Sequence, residues 1–189
     1  MTGRTSFRVV DCAVIILLCA VGFLFALKTG FRGFFPFDQS IVFDGSYRVL
    51  SGQVPYKDFV MPFGPATFWL QAIVFKLLGV NYFAYVFGAA AVNLLAVLAS
   101  IAIVRLLLPG ERMLSYLAGL VTAVWFYPPF GTPWVDQTAF FFSYCGIVAL
   151  LASLREGDRR RRDPRTVRRC LRDPINEVAI SRYWMTPGQ

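Results

Sequence analysis

Four carboxylates stand apart from an otherwise largely hydrocarbon chain. Asp38, Asp44 and Asp58 fall in one stretch with Arg48, Lys57 and Lys76, and Asp136 follows much later. The sequence has no His, so the commonest general base and the commonest metal ligand are missing. Acid–base work must then come from carboxylates, Tyr, Lys or Cys. A carboxylate placed beside lipid is partly desolvated, which disfavours its charged form and makes it a stronger base. The cysteines Cys12, Cys19, Cys145 and Cys170 form no C-x-x-C pair, and we read them as small buried apolar residues.

Hydropathy decides which elements carry these groups. Of 189 residues, 57% are hydrophobic and only 16% charged, with a mean hydropathy of +0.56. That composition belongs to the membrane class and excludes an ordinary soluble domain. A helix crosses a ~30 Å hydrocarbon core in about 20 residues. Segments 9–27, 82–108, 113–127 and 138–154 are therefore expected to span, the first with Asp11 near its start and the second with Asn93 at its middle and Arg105 near its end. The first apolar run is long for a signal peptide and no small-x-small site follows before Lys28, which points to an uncleaved anchor.

Between the first two spans lies loop 28–81. Asp38 to Leu50 has a helical pattern, with Phe43, Tyr47 and Leu50 on one face, Asp44 four residues before Arg48, and Asp38 at the head where a carboxylate caps the first turn. Ser51, Gly52 and Pro55 end it, and Val54 to Phe63 reads as a short extended piece closed by Gly64-Pro65. Segment 66–80 is apolar but short and contains Gln71 and Lys76, so it is expected to lie in the interface.

The net charge of +8 is concentrated beyond Leu154, in Arg155, Arg159 to Arg162, Arg165, Arg168, Arg169 and Arg172. A basic run beside a span follows from the cytoplasmic preference of Lys and Arg and from anionic lipid, so nucleic acid is not the expected partner. Residues 155–189 are too charged to build a core and are expected to be a disordered or surface-lying tail. If 66–80 spans, five crossings separate the two basic ends. With 66–80 in the interface, four crossings put Arg4, Arg8, Arg105, Arg112 and the tail on one side and Asp38, Asp44, Asp58 and Asp136 on the other. The second arrangement satisfies the positive-inside tendency at every loop. The expected fold is an all-α integral membrane protein with four transmembrane helices and two juxtamembrane helices, N-in and C-in, in a bacterial inner membrane.

The order of an aromatic residue and Asp38, an amphipathic helix, Leu50-Ser51-Gly52-Gln53-Val54-Pro55-Tyr56-Lys57-Asp58-Phe59, then Gly64-Pro65 and an apolar helix ending Leu77-Leu78-Gly79 resembles the first external loop of GT-C glycosyltransferases. The nearest kin by this likeness are bacterial members related to protein O-mannosyltransferases and lipid A aminoarabinose transferases. The resemblance covers roughly residues 34–154 and implies an N-terminal portion only, because such enzymes continue through further spans; a truncated remnant is the corresponding expectation. It implies transfer of a sugar from a polyprenyl-phosphate donor to an acceptor on the non-cytoplasmic face. Asp38 would be the catalytic base, and Arg48, Lys57, Lys76 and Tyr56 would bind the donor phosphate. Asp136 matches the acidic residue of the second external loop and could hold a divalent metal. Asp44 and Asp58 are further site carboxylates. Gln39 departs from the pattern, standing where many relatives carry a second acid. The competing expectation is a non-catalytic polytopic protein, a partner subunit of another membrane protein or a remnant that binds polyprenyl lipid.

Overall fold

The computed structural model describes residues 2–34, 38–61, 63–127 and 131–162, with side-chain surroundings for 9–34, 39–61, 63–127 and 131–156. Regular structure among them is helical: α1 (Thr2–Gly30), α2 (Asp38–Leu50), α3 (Ala66–Leu78), α4 (Tyr82–Leu107), α5 (Arg112–Trp125) and α6 (Val135–Arg162). Val9–Gly30, Tyr82–Leu107 and Val135–Glu156 are long and apolar enough to cross a membrane, as expected of an integral membrane protein.

Residues 1–148 pack as one unit, whose centre is α1, α4 and α5. Close approach depends on small residues: Gly22 of α1 faces Val97 and Ala123, and Gly119 of α5 faces Ile101 and Leu18. Leu18, Cys19, Val97, Ile101 and Ala123 form the buried cluster there. At its middle, the Asn93 amide donates to Gly22 O at 2.7 Å and Ala123 O at 3.1 Å, joining all three helices. Interhelical bonds of this kind average about 0.6 kcal/mol each, so Asn93→Leu is expected to cost about 1 kcal/mol in detergent unfolding. A loss above about 3 kcal/mol would mean that the amide does more than join helices.

The second hydrophobic cluster sits where α2 and α3 fold over the start of α4. It contains Val42, Phe68, Phe75, Ala84 and Tyr85. Phe43 meets Phe75 and Tyr85 with ring centroids 4.9 and 5.3 Å apart, edge to face, the geometry that ring quadrupoles favour. The face of α2 turned inward carries Gln39, Val42, Gly45 and Ser46, whereas Tyr47 is half exposed. Of the expected apolar face, Phe43 and Leu50 do pack on this cluster and Tyr47 alone stays outside it. α2 stops in a Schellman arrangement, with Gln53 N bonded to Arg48 O and Gly52 N to Val49 O, and Gly52 takes the required positive φ of 90°. α3 buries Phe68, Ala72 and Phe75 but exposes Trp69, Ile73 and Leu77 on its outer side. A helix apolar on both flanks suits a position between protein and lipid.

α5 is too short for a crossing by helix arithmetic alone, yet its contacts run the depth of α1. Tyr116 bonds Asp11, Ala123 lies at Gly22, and Gly131 meets Ala26, Thr29 and Gly30. The contacts of Tyr116, Ala123 and Gly131 thus fall beside residues 11–30 of α1, a rise of about 28 Å at 1.5 Å per residue, and the helix α5 itself ends at Trp125. Gly131 has a φ of 56° and no room for a side chain. Thr132 and Pro133 beside it are buried in protein.

The expectation of buried cysteines changes: among the described residues Cys12 and Cys145 are exposed on their helices and Cys19 is buried. The helix begun at Val135 continues to Arg162, because Leu, Glu and Arg all favour helix and nothing breaks it at Leu154. Residues 155–162, the start of the tail expected to be disordered or surface-lying, continue this helix, and 163–189 lie outside the described residues.

Candidate functional site

The chemistry-bearing loops meet around one buried tyrosine. Tyr85, in the first turn of α4, is fully buried. Its hydroxyl donates to Gln39 O at 2.9 Å and lies 3.3 Å from Pro133 O. Gln39 follows Asp38 at the head of α2, and Pro133 precedes Asp136 by three residues. One side chain on a rigid helix thus fixes both loops. Its ring is held by Phe43, Phe75 and Tyr82.

The local folding that permits this is legible residue by residue. Asn81 caps α4 by accepting from Ala84 N at 2.8 Å and donates to Leu78 O at 3.0 Å, making the tight corner from α3. Tyr82 donates to Gly30 O at 2.6 Å and packs on Phe31 and Phe34, pinning the aromatic turn after α1. Gln71 donates to Ala84 O at 3.2 Å and rests on Gly88, docking α3 on α4. At the start of α6, Thr138 bonds Trp134 O at 2.9 Å.

A cleft of about 420 Å³ opens between the head of α3 and the first turns of α6, with Phe63, Gly64, Thr67, Asp136, Thr138 and Phe142 among its walls. It is mostly apolar with a carboxylate and two hydroxyls, the usual make-up of a small-molecule site. Asp136 is exposed at this cleft.

The other sequence candidates are placed as follows. Asp38 opens α2, and its side chain lies outside the described residues. Asp44 and Arg48 form the expected i, i+4 pair at 2.7 Å, half exposed, and Arg48 also lies 5.6 Å from the Phe59 ring centroid. Tyr56, Lys57 and Asp58 form a tight turn, closed by a Pro55–Phe59 bridge, instead of the extended piece expected. Tyr56 has a φ of 68°, rare outside Gly, Asn and Asp, and its hydroxyl bonds Phe63 O at the rim of the cleft. Asp58 accepts from Val54 N at 2.7 Å, an ordinary turn-holding role. Lys57 is exposed on the same turn, and Lys76 is exposed in the last turn of α3, at the end away from the cleft. Among the described side chains Asp136 is thus the carboxylate at the cleft, while Arg48, Lys57, Lys76, Asp44 and Asp58 do not line it.

Among the described residues no three His, Cys, Asp or Glu converge. Asp136 offers a divalent ion a single carboxylate among the described residues, which is fewer than a protein-built site supplies.

A second polar cluster sits at the other end of the bundle. Arg105 holds Asp11 with both terminal nitrogens, at 3.0 and 2.6 Å. Tyr116 donates to Asp11, Arg105 Nε reaches Ser115 Oγ at 3.3 Å, and the guanidinium lies 5.6 Å from the Tyr116 ring centroid. Asp11 and Arg105 are visible in the sequence as lone charges in apolar segments, and an intramembrane charge calls for a partner. Their separation of 94 residues hides which partner it is.

No family model, curated protein or solved structure matches the chain.

Proposed function

We propose that the chain crosses the membrane four times and carries, on its non-cytoplasmic face, a site that transfers a sugar from a polyprenyl-phosphate donor to an acceptor hydroxyl. The observation that carries this reading is the Tyr85 hydroxyl, within hydrogen-bonding reach of Gln39 O and Pro133 O. Two loops that bear Asp38 and Asp136 are thereby held together, and the resemblance to GT-C enzymes gives both acids a use. The shared depth of residues 116–131 and α1 supports the crossing by α5 that puts both loops on one side.

Asp38 would accept the proton of the acceptor hydroxyl as its oxygen attacks the anomeric carbon. The bond from that carbon to the phosphate oxygen breaks, and the phosphate leaves with its electron pair on the lipid. Asp136 lines the cleft in which the sugar would sit. Of the expected phosphate-binding groups, Lys57 is the best placed, since its turn is bonded to the cleft wall through Tyr56 and Phe63. Arg48 is occupied by Asp44, and Lys76 belongs to the far end of α3. The reading is tested with the purified chain in nanodiscs, polyprenyl-phosphate hexose or pentose labelled in the sugar, and a membrane extract as acceptor source. Label leaving the lipid supports it, and wild-type protein that releases none from either donor overturns it.

The second reading, a non-catalytic subunit of a membrane complex, is favoured by α6. Only 6% of its apolar span is buried within the chain, as expected of a helix that packs on another protein. Co-purification of a stoichiometric membrane partner, with no transfer activity, would select this reading.

A further inference from the structure

The Asp136 cleft is bordered by hydrogen-bond donors that the chain itself leaves unused. Helix α3 begins after Pro65, which has no side-chain oxygen to cap the first turn, and no other side chain caps it. Pro65 O accepts from Phe68 N at 3.1 Å and Trp69 N at 3.2 Å. The amides of Ala66 and Thr67 have no acceptor among the described residues, at the end of a 13-residue helix where the dipole favours negative charge. Gly64, Ala66 and Thr67 all line the cleft, so this helix end opens onto it.

A second, independent observation is the Thr67 side chain. The residue is only 4% exposed, and its hydroxyl makes no hydrogen bond to any described residue. A helical threonine ordinarily bonds the carbonyl four residues back, as Thr29, Thr122 and Thr138 do. For Thr67 that carbonyl is Phe63 O, which the Tyr56 hydroxyl already occupies. What remains accessible of Thr67 faces the cleft. Across the cleft stand Asp136 and Thr138, in the first turns of α6. Phe142 lies about 9 Å beyond Asp136 along the helix axis and is 45% exposed, so that wall continues into the lipid-facing surface of α6. Donors for an anion, then a carboxylate for hydroxyls, then hydrocarbon make the order of an amphiphile.

We propose that the head of α3 binds a lipid-borne phosphodiester. Ala66 N, Thr67 N and Thr67 Oγ1 donate to the phosphate, and Asp136 accepts from hydroxyls of the group esterified to it. A helix N-terminus suits a phosphate because its free amides and its dipole act together. A phosphodiester carries a single negative charge, and its repulsion by Asp136, which is exposed, is screened by water and salt. Free phosphate carries more charge, and among the described residues no Lys or Arg lines the cleft to balance it. Two lipids have the required chemistry, a polyprenyl-phosphate sugar and phosphatidylglycerol. With the first, the inference rests on the function proposed above and supplies its phosphate subsite, built from neutral donors in addition to the expected cations.

The test is equilibrium binding of radiolabelled probes to the full chain in polyoxyethylene-detergent micelles, which bring neither phosphate nor sugar. The probes are a short-chain prenyl-phosphate hexose, a short-chain phosphatidylglycerol and a prenyl hexoside without phosphate. At least one phosphodiester should bind. Thr67→Val should weaken it roughly tenfold, in line with one hydrogen bond to a charged group, and Thr67→Ser should stay within twofold of the wild type. The hydroxyl has no partner to lose, so Thr67→Val is expected to fold with undiminished thermal stability. Binding of the hexoside should respond to neither variant. Preference for the prenyl-phosphate hexose supports both this site and the sugar-transfer reading, whereas preference for phosphatidylglycerol supports the site and counts against that reading. Equal binding by wild type and Thr67→Val would overturn the proposal. So would a wild type that binds neither phosphodiester, or displacement of the probe by inorganic phosphate at matched concentration.

Discussion

Under the proposed function, Asp38→Asn is expected to lower sugar transfer by roughly 10²- to 10⁴-fold, the usual contribution of a positioned general base. The amide keeps the shape of the carboxylate and its ability to accept a hydrogen bond from the first turn of α2. It cannot take the acceptor proton, so the loss appears in kcat with thermal stability close to that of the wild type. The neighbouring acids give the contrast. Asp44→Asn breaks a half-exposed pair with Arg48, of the type worth about 0–1 kcal/mol, and leaves transfer within about twofold. Asp58→Asn retains an oxygen for Val54 N and behaves in the same way. Asp136→Asn alters the cleft itself and reduces transfer by an intermediate factor of about ten. Transfer equal in Asp38→Asn and wild type, measured with the labelled donor, would remove Asp38 from the mechanism.

Arg105→Met gives the largest expected loss of stability. The side chains of Arg105 and Asp11 are 31% and 20% exposed, and the pair ties the head of α1 to the end of α4 while Tyr116 brings in α5. Removing one partner leaves an uncompensated carboxylate in a segment long and apolar enough to span. Breaking a fully buried pair costs about 3–5 kcal/mol, and partial exposure brings the expectation here to about 2–3 kcal/mol. Asp11→Asn is milder, because its amide can still bond the guanidinium and the phenol. The reversed pair, Asp11→Arg with Arg105→Asp, should recover at least half of the loss of the two single variants. Reversible unfolding in mixed micelles measures all of these, and a coupling near zero would mean that the charges act independently.

The local pattern of the chain was a good guide wherever one element decided the outcome. Asp38 to Leu50 is the helix expected from its spacing, Gly52 ends it, and Asp44 meets Arg48, because i, i+4 contacts and a glycine cap need no distant neighbour. The segments 9–27, 82–108 and 138–154 are recognisable from hydrocarbon length, and all three lie in helices long enough to cross.

Features that depend on packing were hidden. Tyr85 reads as one aromatic in an apolar run, and nothing near it in sequence indicates that its hydroxyl meets carbonyls 46 and 48 residues away. The period of α2 groups Phe43, Tyr47 and Leu50, but does not show that Gly45 and Ser46 lie inward, where Phe68 and Met61 crowd Gly45. The turn at Tyr56 has no glycine or asparagine to announce its positive φ. The fit of Gly131 against Thr29 and Gly30, which sets the chain beyond α5 beside the end of α1, is a contact between distant segments and leaves no local signal.

The joint placement of Asp38 and Asp136 on one face depends on α5 crossing, and labelling from outside the cell tests this most directly. In a background without cysteine, single cysteines at Gln53, Glu111 and Gly157 report on the loop after α2, the α4–α5 turn and the chain beyond the last span. With four crossings, an impermeant maleimide on intact cells is expected to label Gln53→Cys alone, with the other two reacting only after permeabilisation. Three crossings, with α5 failing to traverse, would carry the chain end outside. Labelling of Gly157→Cys in intact cells would therefore contradict the account, because the loops bearing Asp38 and Asp136 would lie on opposite sides of the membrane.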